Sequence, residues 1–502
     1  MRVTAWKRGC QILRKPSGFD KDRAGKLGNS AAVMGMADFS AFDVKMRAAG
    51  LGDAAICAFS HAFGLYTSGA SAFIPESAIA PASGLPESAV LPESSANRTA
   101  ELVAATVVIK LNGGLGTGMG LEKAKSLLEV KDGLTFLDLI ARQILHQRQA
   151  APGLRFLLMN SFSTSQDSLD FLARYPELGC PADIELMQNK VPKICHPEAT
   201  PLTWPNQPAH EWCPPGHGDI YAALLGSGWL EKLCQQGVRY AFISNSDNLG
   251  ATLDPAILAW FAASDAPFLM EVTRRTEADK KGGHLALRRS DNRLVLRESA
   301  QCLKSDEAEF QNIERHQFFN TNNLWLRLDR LKETLEAAGG LLPLPVMQNF
   351  KTADPRDPKS PAVVQLETAM GAAIECFPGS RAIIVPRDRF APVKTTADLL
   401  GLRSDACRIT DDWRIELLPE RNGQPPVIAL DNTYHKMVDG LESAFGPTAP
   451  SLRHCQKLTV RGPVRIPPAA CFAGNVEILN PTAETRDLPA DSYCDTRIVL
   501  EN

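Results

Sequence analysis

Apolar positions change period several times along the chain, and each change marks a different kind of element. Over residues 37–66 they recur at helical spacing. Phe42, Met46 and Ala49 stand at i, i+4 and i+7, and the pattern resumes over residues 54–62 after Gly50-Leu51-Gly52. This predicts a helical pair packing on a larger body. Residues 67–98 lose the period. Pro75-Glu76-Ser77, Pro86-Glu87-Ser88 and Pro92-Glu93-Ser94 recur there at irregular spacing, in an Ala/Ser/Pro background. That composition predicts an extended connector crossing the surface.

From residue 102 strands and helices alternate. Leu102–Leu111 is β-branched and almost wholly apolar, as a strand buried on both faces must be. Thr135-Phe136-Leu137-Asp138 offers a helix start, with Leu137, Ile140 and Ile144 on one face. Leu154–Met159, Tyr240–Ser244 and Pro267–Thr273 read as three further buried strands. The alternation predicts a mainly parallel sheet covered by helices on both faces, with ligands beyond the carboxyl ends of its strands. Residues 458–480 differ. Short β-branched runs are broken by Gly and Pro every few residues, which predicts a small all-β region, a β-helix being one way to build it.

Composition narrows the classes. The chain has 502 residues, 44% hydrophobic and 22% charged, so a soluble globular protein of about three domains is expected. No uncharged apolar run reaches the length of a membrane span. The formal charge of −3, from 54 basic and 57 acidic residues, supplies no general field for nucleic acid. Twelve cysteines are scattered without a C-x-x-C pair, which argues against a zinc ribbon and for free thiols in a reducing compartment. Residues 1–30 hold eight basic residues and two acidic ones without an apolar core behind them, so a secretory signal is not expected. The remaining readings there are a disordered tail, a transit peptide, or a start upstream of the functional chain.

Three segments carry candidate chemistry. Lys110-Leu111-Asn112-Gly113-Gly114-Leu115-Gly116-Thr117-Gly118-Met119-Gly120 follows a predicted strand and has five glycines in its last eight residues. Such a loop brings backbone N–H groups close to phosphate oxygens, although a bare turn is the simpler alternative. It fits neither the dinucleotide fingerprint nor the Walker A spacing. Lys125, just after it, could neutralise phosphates or be a solvated surface charge. In Pro214-Pro215-Gly216-His217-Gly218-Asp219, Asp219 is placed to cap a helix over 220–230, and His217 between two glycines faces an anion site. Ser244-Asn245-Ser246-Asp247-Asn248 ends a strand. Asp247 suits Mg²⁺, or the cluster is an Asx-turn. Asn320 and Asn322 could read sugar hydroxyls, and Lys394 could reach a phosphate.

Taken in order, KLNGGLGTGMG (110–120), KSLLEVKDGLTFLDL (125–139), MQNKVPK (187–193), PPGHGDIY (214–221), SNSDNLGAT (244–252), DKKGGHLA (279–286), RESAQC (297–302), FFNTNNLW (318–325), QLETAMGAAI (365–374) and FAPVKTTADLL (390–400) closely resemble the eukaryotic-type UTP–glucose-1-phosphate uridylyltransferases, or UDP-glucose pyrophosphorylases. The IPES connector (74–77) does as well, and the likeness spans about residues 37–500. It implies an α/β fold: a Rossmann-like (GT-A-like) nucleotidyltransferase core over 99–400, a helical N-terminal segment and connector over 37–98, and a C-terminal domain over 401–502 with a left-handed parallel β-helix. The basic tail, 1–36, has no counterpart.

The implied reaction joins UTP and glucose 1-phosphate into UDP-glucose and pyrophosphate, with Mg²⁺, by in-line attack on the α-phosphorus. The implied roles follow the motifs. Leu111, Asn112, Gly113 and Gly114 hold the nucleotide by backbone, and Gln188 and Gly216 read uracil. Lys125 and Lys394 neutralise the triphosphate, with Lys394 favoured for the transition state. His217 meets the sugar phosphate, Asp247 the metal, and Asn245 the ribose or sugar. Glu298, Asn320 and Asn322 meet glucose hydroxyls, and Gly283 lies close to the sugar. A cytoplasmic enzyme is expected, with no nucleic-acid or membrane partner, and with self-association through the C-terminal domain left open. Rival readings are a UDP-sugar pyrophosphorylase of wider range, an N-acetylhexosamine uridylyltransferase, and a non-catalytic sugar-nucleotide sensor.

Overall fold

The computed structural model describes residues 38–92 and 95–501. The basic tail therefore lies outside the described residues. Two helices open the chain, Ser40–Ala48 and Asp53–Thr67. Phe42, Met46, Phe59 and Phe63 bury the predicted apolar face, and the Phe42 ring packs on those of Phe63 and Phe59 at centroid distances of 4.7 and 5.6 Å. The connector runs to a helix at Ala96–Ala104, but it is not featureless: Ile79–Pro81 adds an antiparallel edge strand against His284–Arg288.

At the centre is a ten-stranded sheet. Thr106–Asn112 lies between Arg155–Asn160 and Tyr240–Asn245, parallel to both, with Glu185–Met187 beyond. This is the parallel alternation expected from the sequence. Phe318–Arg327 runs antiparallel to Tyr240–Asn245 and to Phe268–Arg274, and the latter pairs in parallel with Arg381–Ile384. The register sets Leu111 opposite Asn245 and Asn112 opposite Asn160. Carboxyl ends of neighbouring strands therefore finish level, and the polar loops converge there.

Both sheet faces are covered. Val107 and Ile109 join Ile220, Tyr221 and Leu224 on one side. Val108 meets Leu137, Ile140, Ile144, Ile257 and Phe261 on the other. At about 1.5–3 kcal/mol for each fully buried large side chain, these layers supply the main drive for folding. The helix Phe136–Ala150 begins where the sequence placed it. Thr135 Oγ1 accepts from the Asp138 N–H at 3.1 Å, and Asp138 returns a bond to the Thr135 N–H at 2.9 Å.

Two local expectations are corrected. Leu102–Ala104 is the end of a helix, and the strand starts only at Thr106. A short apolar stretch satisfies either period, and here Val103 is buried from the helix. The helix expected over 220–230 is two, Ile220–Gly226 and Trp229–Gln235, broken at Gly228, whose φ of +79° is left-handed.

Beyond the sheet, Val427–Leu430, Ser451–Arg461, Cys471–Leu479 and Ser492–Val499 stack as one parallel ladder. Val464–Arg465 and Arg486–Asp487 form a second, smaller one. The two central strands are longer than the Gly/Pro spacing suggested. A third apolar cluster ties this region to the glycine loop's exit: Met119, Leu128, Val130, Phe136 and Leu139 pack with Leu399, Leu400, Val438, Phe445, Leu458 and Phe472. No disulfide forms among the described cysteines, and no helix of the described residues is long and apolar enough to cross a membrane.

Candidate active site

The glycine loop leaves its strand with one side chain anchored below it. Asn112 is buried. Its Nδ2 donates to Asn160 Oδ1 and Ser168 Oγ, both at 2.8 Å, and its Oδ1 accepts from Ser246 Oγ at 3.3 Å. Asn112 is therefore a strut, and its side chain takes no part in lining the cavity above. Gly113 lies against Gln188: a Cβ there would stand 2.7 Å from Gln188 Oε1. The loop then folds back, with Gly116 at φ +70° and the Lys125 N–H donating to Gly114 O at 3.1 Å. That return brings Lys125 Nζ to 2.7 Å from Asp247 Oδ2 and into a second bond with Val393 O. Both partners are largely covered, at 16% and 21% side-chain exposure, so the pair is set in the wall of a cleft.

Gln188 is held from two sides. Its N–H donates to Asn160 O at 2.7 Å and its Nε2 to Gly216 O at 3.0 Å, which leaves Oε1 as the free acceptor. Gly216 has φ +82°, and a Cβ on it would meet Thr368 O at 2.4 Å. Leu111, Gly113, Gly114, Lys125, Gln188, Gly216, His217, Asn245 and Asp247 line one cavity of about 310 Å³. Nine residues named from sequence thus converge there. Two larger cavities of about 590 Å³ lack the glycine loop and the Lys125–Asp247 pair, so size alone does not mark the site.

His217 Nδ1 accepts the Met370 N–H at 2.9 Å. With Nδ1 an acceptor, the neutral ring carries its proton on Nε2 and offers a single donor. Burial holds its pKa down to about 4, so it is uncharged at neutral pH. The pH profile of kcat/KM over about pH 5.5–8 is therefore expected to show no His217 ionisation. Parent and His217→Asn profiles should match in shape, and an acidic limb near pH 6.5 that disappears in the variant would contradict this tautomer. Asp219 is corrected from a helix cap to a clamp. It makes no capping bond, and its carboxylate accepts from the Asn189 N–H at 2.7 Å and Nδ2 at 3.0 Å. Burial raises its pKa to about 6 despite those bonds.

The other candidates form a second group. A Cβ on Gly283 would stand 2.4 Å from Glu298 Oε2, so the carboxylate lies directly on the glycine. Burial raises the Glu298 pKa, and Lys394 opposes the rise. Asn320 Nδ2 donates to Asn322 Oδ1 at 2.8 Å, and the Asn322 N–H returns a bond to Asn320 Oδ1 at 2.9 Å, with Asn322 at φ +58°. Met370-Gly371 joins the groups. Met370 meets His217, while a Cβ on Gly371 would approach Asn320 Nδ2 to 3.0 Å. Lys394 is exposed, with Nζ 5.7 Å from the centre of the Phe390 ring, outside the lining of the 310 Å³ cavity.

Sequence reasoning missed the buried framework beneath. Glu271, wholly buried, takes Arg389 Nε at 2.9 Å and NH2 at 2.7 Å, Trp325 Nε1 at 2.9 Å and Asn323 Nδ2 at 3.0 Å. Lys110 donates to Ser244 Oγ at 2.8 Å and Ala251 O at 2.5 Å, and burial brings its pKa down to about 7. A lone charge inside each apolar strand was the available signal; its partners lie from 52 to 141 positions away.

The family described as UTP--glucose-1-phosphate uridylyltransferase matches residues 59–469. A Saccharomyces cerevisiae protein of that name is 39% identical over 397 residues, 79% of this chain and 78% of its own. A variant of Leishmania major UDP-glucose pyrophosphorylase, solved with UDP-glucose, superposes with a TM-score of 0.88 at 48% identity, covering 94% of this chain and all of that one. A Trypanosoma brucei UDP-glucose phosphorylase gives a TM-score of 0.83 at 49% identity, covering 92% and 99%.

Proposed function

This chain belongs to the UTP–glucose-1-phosphate uridylyltransferase family, and from that premise we infer how its own residues carry out the family's reaction. The enzyme is a nucleotidyltransferase that forms UDP-glucose and pyrophosphate from UTP and glucose 1-phosphate. The observation that carries the reading is the convergence of the glycine loop, the uracil-facing Gln188–Gly216 pair and the Lys125–Asp247 pair on one cavity.

Backbone N–H groups of Gly113 and Gly114 hold the nucleotide. Gln188 Oε1, left free by the bond to Gly216, accepts from the uracil N3–H. The attacking sugar phosphate is already an anion, so no strong base is required, and catalysis rests on placing it in line and balancing charge. His217 Nε2–H donates to that phosphate. Lys125 meets the triphosphate, and Lys394 does so after its flexible stem leaves Phe390. Glu298, Asn320 and Asn322 take the sugar hydroxyls, and Gly283 leaves room beside them. Asn245 reaches the ribose or sugar from the end of its strand.

Mg²⁺ fits this site in one manner. Asp247 is the one carboxylate among the described residues that line the cavity, so it would be the protein's carboxylate ligand, with substrate phosphates supplying most other ligands. When bound, the ion offsets charge on the phosphates. We also read the parallel C-terminal ladders as turns of a left-handed β-helix, and the domain limits as 37–98, 99–400 and 401–502. The outer edge of Ser492–Val499, which among the described residues pairs only with Cys471–Leu479, supports self-association there. The scattered cysteines, none of them in a disulfide among the described residues, support a cytoplasmic setting.

Pyrophosphate release from UTP should be measured against a panel of sugar 1-phosphates. Strong preference for glucose 1-phosphate is expected; equal use of the galactose compound would make this a broader UDP-sugar enzyme, and no turnover a sensor. Gln188→Ala should reduce discrimination for UTP over CTP about tenfold, the size of one lost hydrogen bond. Unchanged discrimination would remove Gln188 from base reading.

A further inference from the structure

The connector places one carboxylate, Glu76, among three basic side chains from distant parts of the chain. Glu76 Oε2 accepts from Arg297 NH1 at 2.7 Å, and Oε1 from Arg315 Nε at 2.9 Å. His316 Nε2 lies 3.0 Å from Oε1. The Glu76 N–H donates to Asp306 Oδ2 at 2.7 Å, and the same oxygen accepts from Arg297 NH2 at 3.2 Å. The neighbouring Ile74 N–H donates to Gln301 O at 2.8 Å. Arg297 and His316 are wholly buried. A buried guanidinium needs compensation, and removing one partner of such a pair is costly.

Arg297 directly precedes Glu298. It sits opposite His284, which follows Gly283, in the antiparallel pair His284–Arg288 and Leu294–Arg297. The two residues of the sugar group, Gly283 and Glu298, therefore emerge together from the end of this strand pair. Arg297 fixes that end from behind, through Glu76. The cluster has no contact with the nucleotide cavity.

We propose that Glu76, on the connector, is a positioning residue for the sugar subsite: by binding Arg297, Arg315 and His316 it sets the strand end that presents Glu298 against Gly283. This rests on the reading of Glu298 as a glucose ligand. Loss of the Glu76 charge leaves Arg297 with Asp306 alone and lets the strand end shift, which misplaces Glu298 without touching Gln188 or the glycine loop.

The test is steady-state kinetics on the full chain with Glu76→Gln, Glu76→Asp and Glu298→Gln. In Glu76→Gln the KM for glucose 1-phosphate should rise about ten- to a hundred-fold, the cost of a displaced binding group, while the KM for UTP stays within about twofold. Glu76→Asp, which keeps the charge, should fall between parent and Gln variant, and it carries the measurement if the Gln variant does not fold. An unchanged sugar KM, or equal rises for both substrates, would overturn the proposal. If Glu298→Gln raises the sugar KM but Glu76→Gln does not, only the positioning role fails. If Glu298→Gln has no effect, the sugar-subsite reading falls and the proposal with it.

Discussion

Lys125→Ala is expected to fold and to lose about 10²–10³-fold in kcat, the usual cost of removing one group that meets charge developing in the transition state. The geometry gives the reason. Lys125 already lines the cavity beneath the glycine loop, aimed by two bonds, to Asp247 and to Val393 O. Its placement cost is met in folding, before substrate arrives. Sugar KM should change little, because the Glu298 group lies elsewhere. Lys125→Met, which keeps most of the stem, should be equally slow if charge is what matters. A kcat within threefold of parent in either variant would remove Lys125 from the chemistry. Lys394 starts from a different position, exposed and resting over Phe390; it must reorient to act, so its contribution includes an ordering cost that Lys125 avoids.

Arg389→Leu is expected to lower stability by about 3–5 kcal/mol, because it strands the wholly buried Glu271 carboxylate without its cation. Against a total of about 5–15 kcal/mol that is a large loss, read as a fall in the urea midpoint. Activity should fall as well. The Arg389 guanidinium, through Glu271 and Thr252 O, anchors a backbone whose carbonyl accepts from Asn248 Nδ2 at 3.1 Å and Asn323 Nδ2 at 3.2 Å, so losing the side chain loosens the segment that leads to Val393 and Lys394. Adding Glu271→Gln to Arg389→Leu removes the charge but keeps an acceptor for Trp325 Nε1, and should recover much of the stability, since that part of the penalty belongs to the orphaned charge. A double variant as weak as the single one would assign the cost to packing instead.

Sequence showed most of the strand cores because apolar runs such as Tyr240–Ser244 are buried by necessity. It showed the glycine loop because five glycines in eight residues serve few purposes. The Thr135–Asp138 capping box was legible as a local pattern of four residues. Legibility failed where meaning depends on distant partners. Glu271 and Arg389 are 118 positions apart, and no spacing rule connects them. Asp219 stood where a helix cap belongs, yet Asn189 claims its carboxylate. The Asn112 side chain follows a rule the strand does supply: successive side chains face opposite ways, so it turns below the loop to Asn160 and Ser168 while its backbone stays at the strand end. The Glu76 cluster was out of reach altogether, because the connector's composition suggests only a surface path.

The apolar cluster shared by Met119–Leu139 and the C-terminal ladders makes the limit near residue 400 a change of architecture without a break in cohesion. Gly120, at the loop's exit, lies so close to Met437 that an added Cβ would stand 3.2 Å from its sulfur. The C-terminal region is thus part of the foundation on which the glycine loop stands. The two should open and close as one cooperative unit, so a fragment ending near 400 keeps the strands that name the fold but loses the floor under its chemistry.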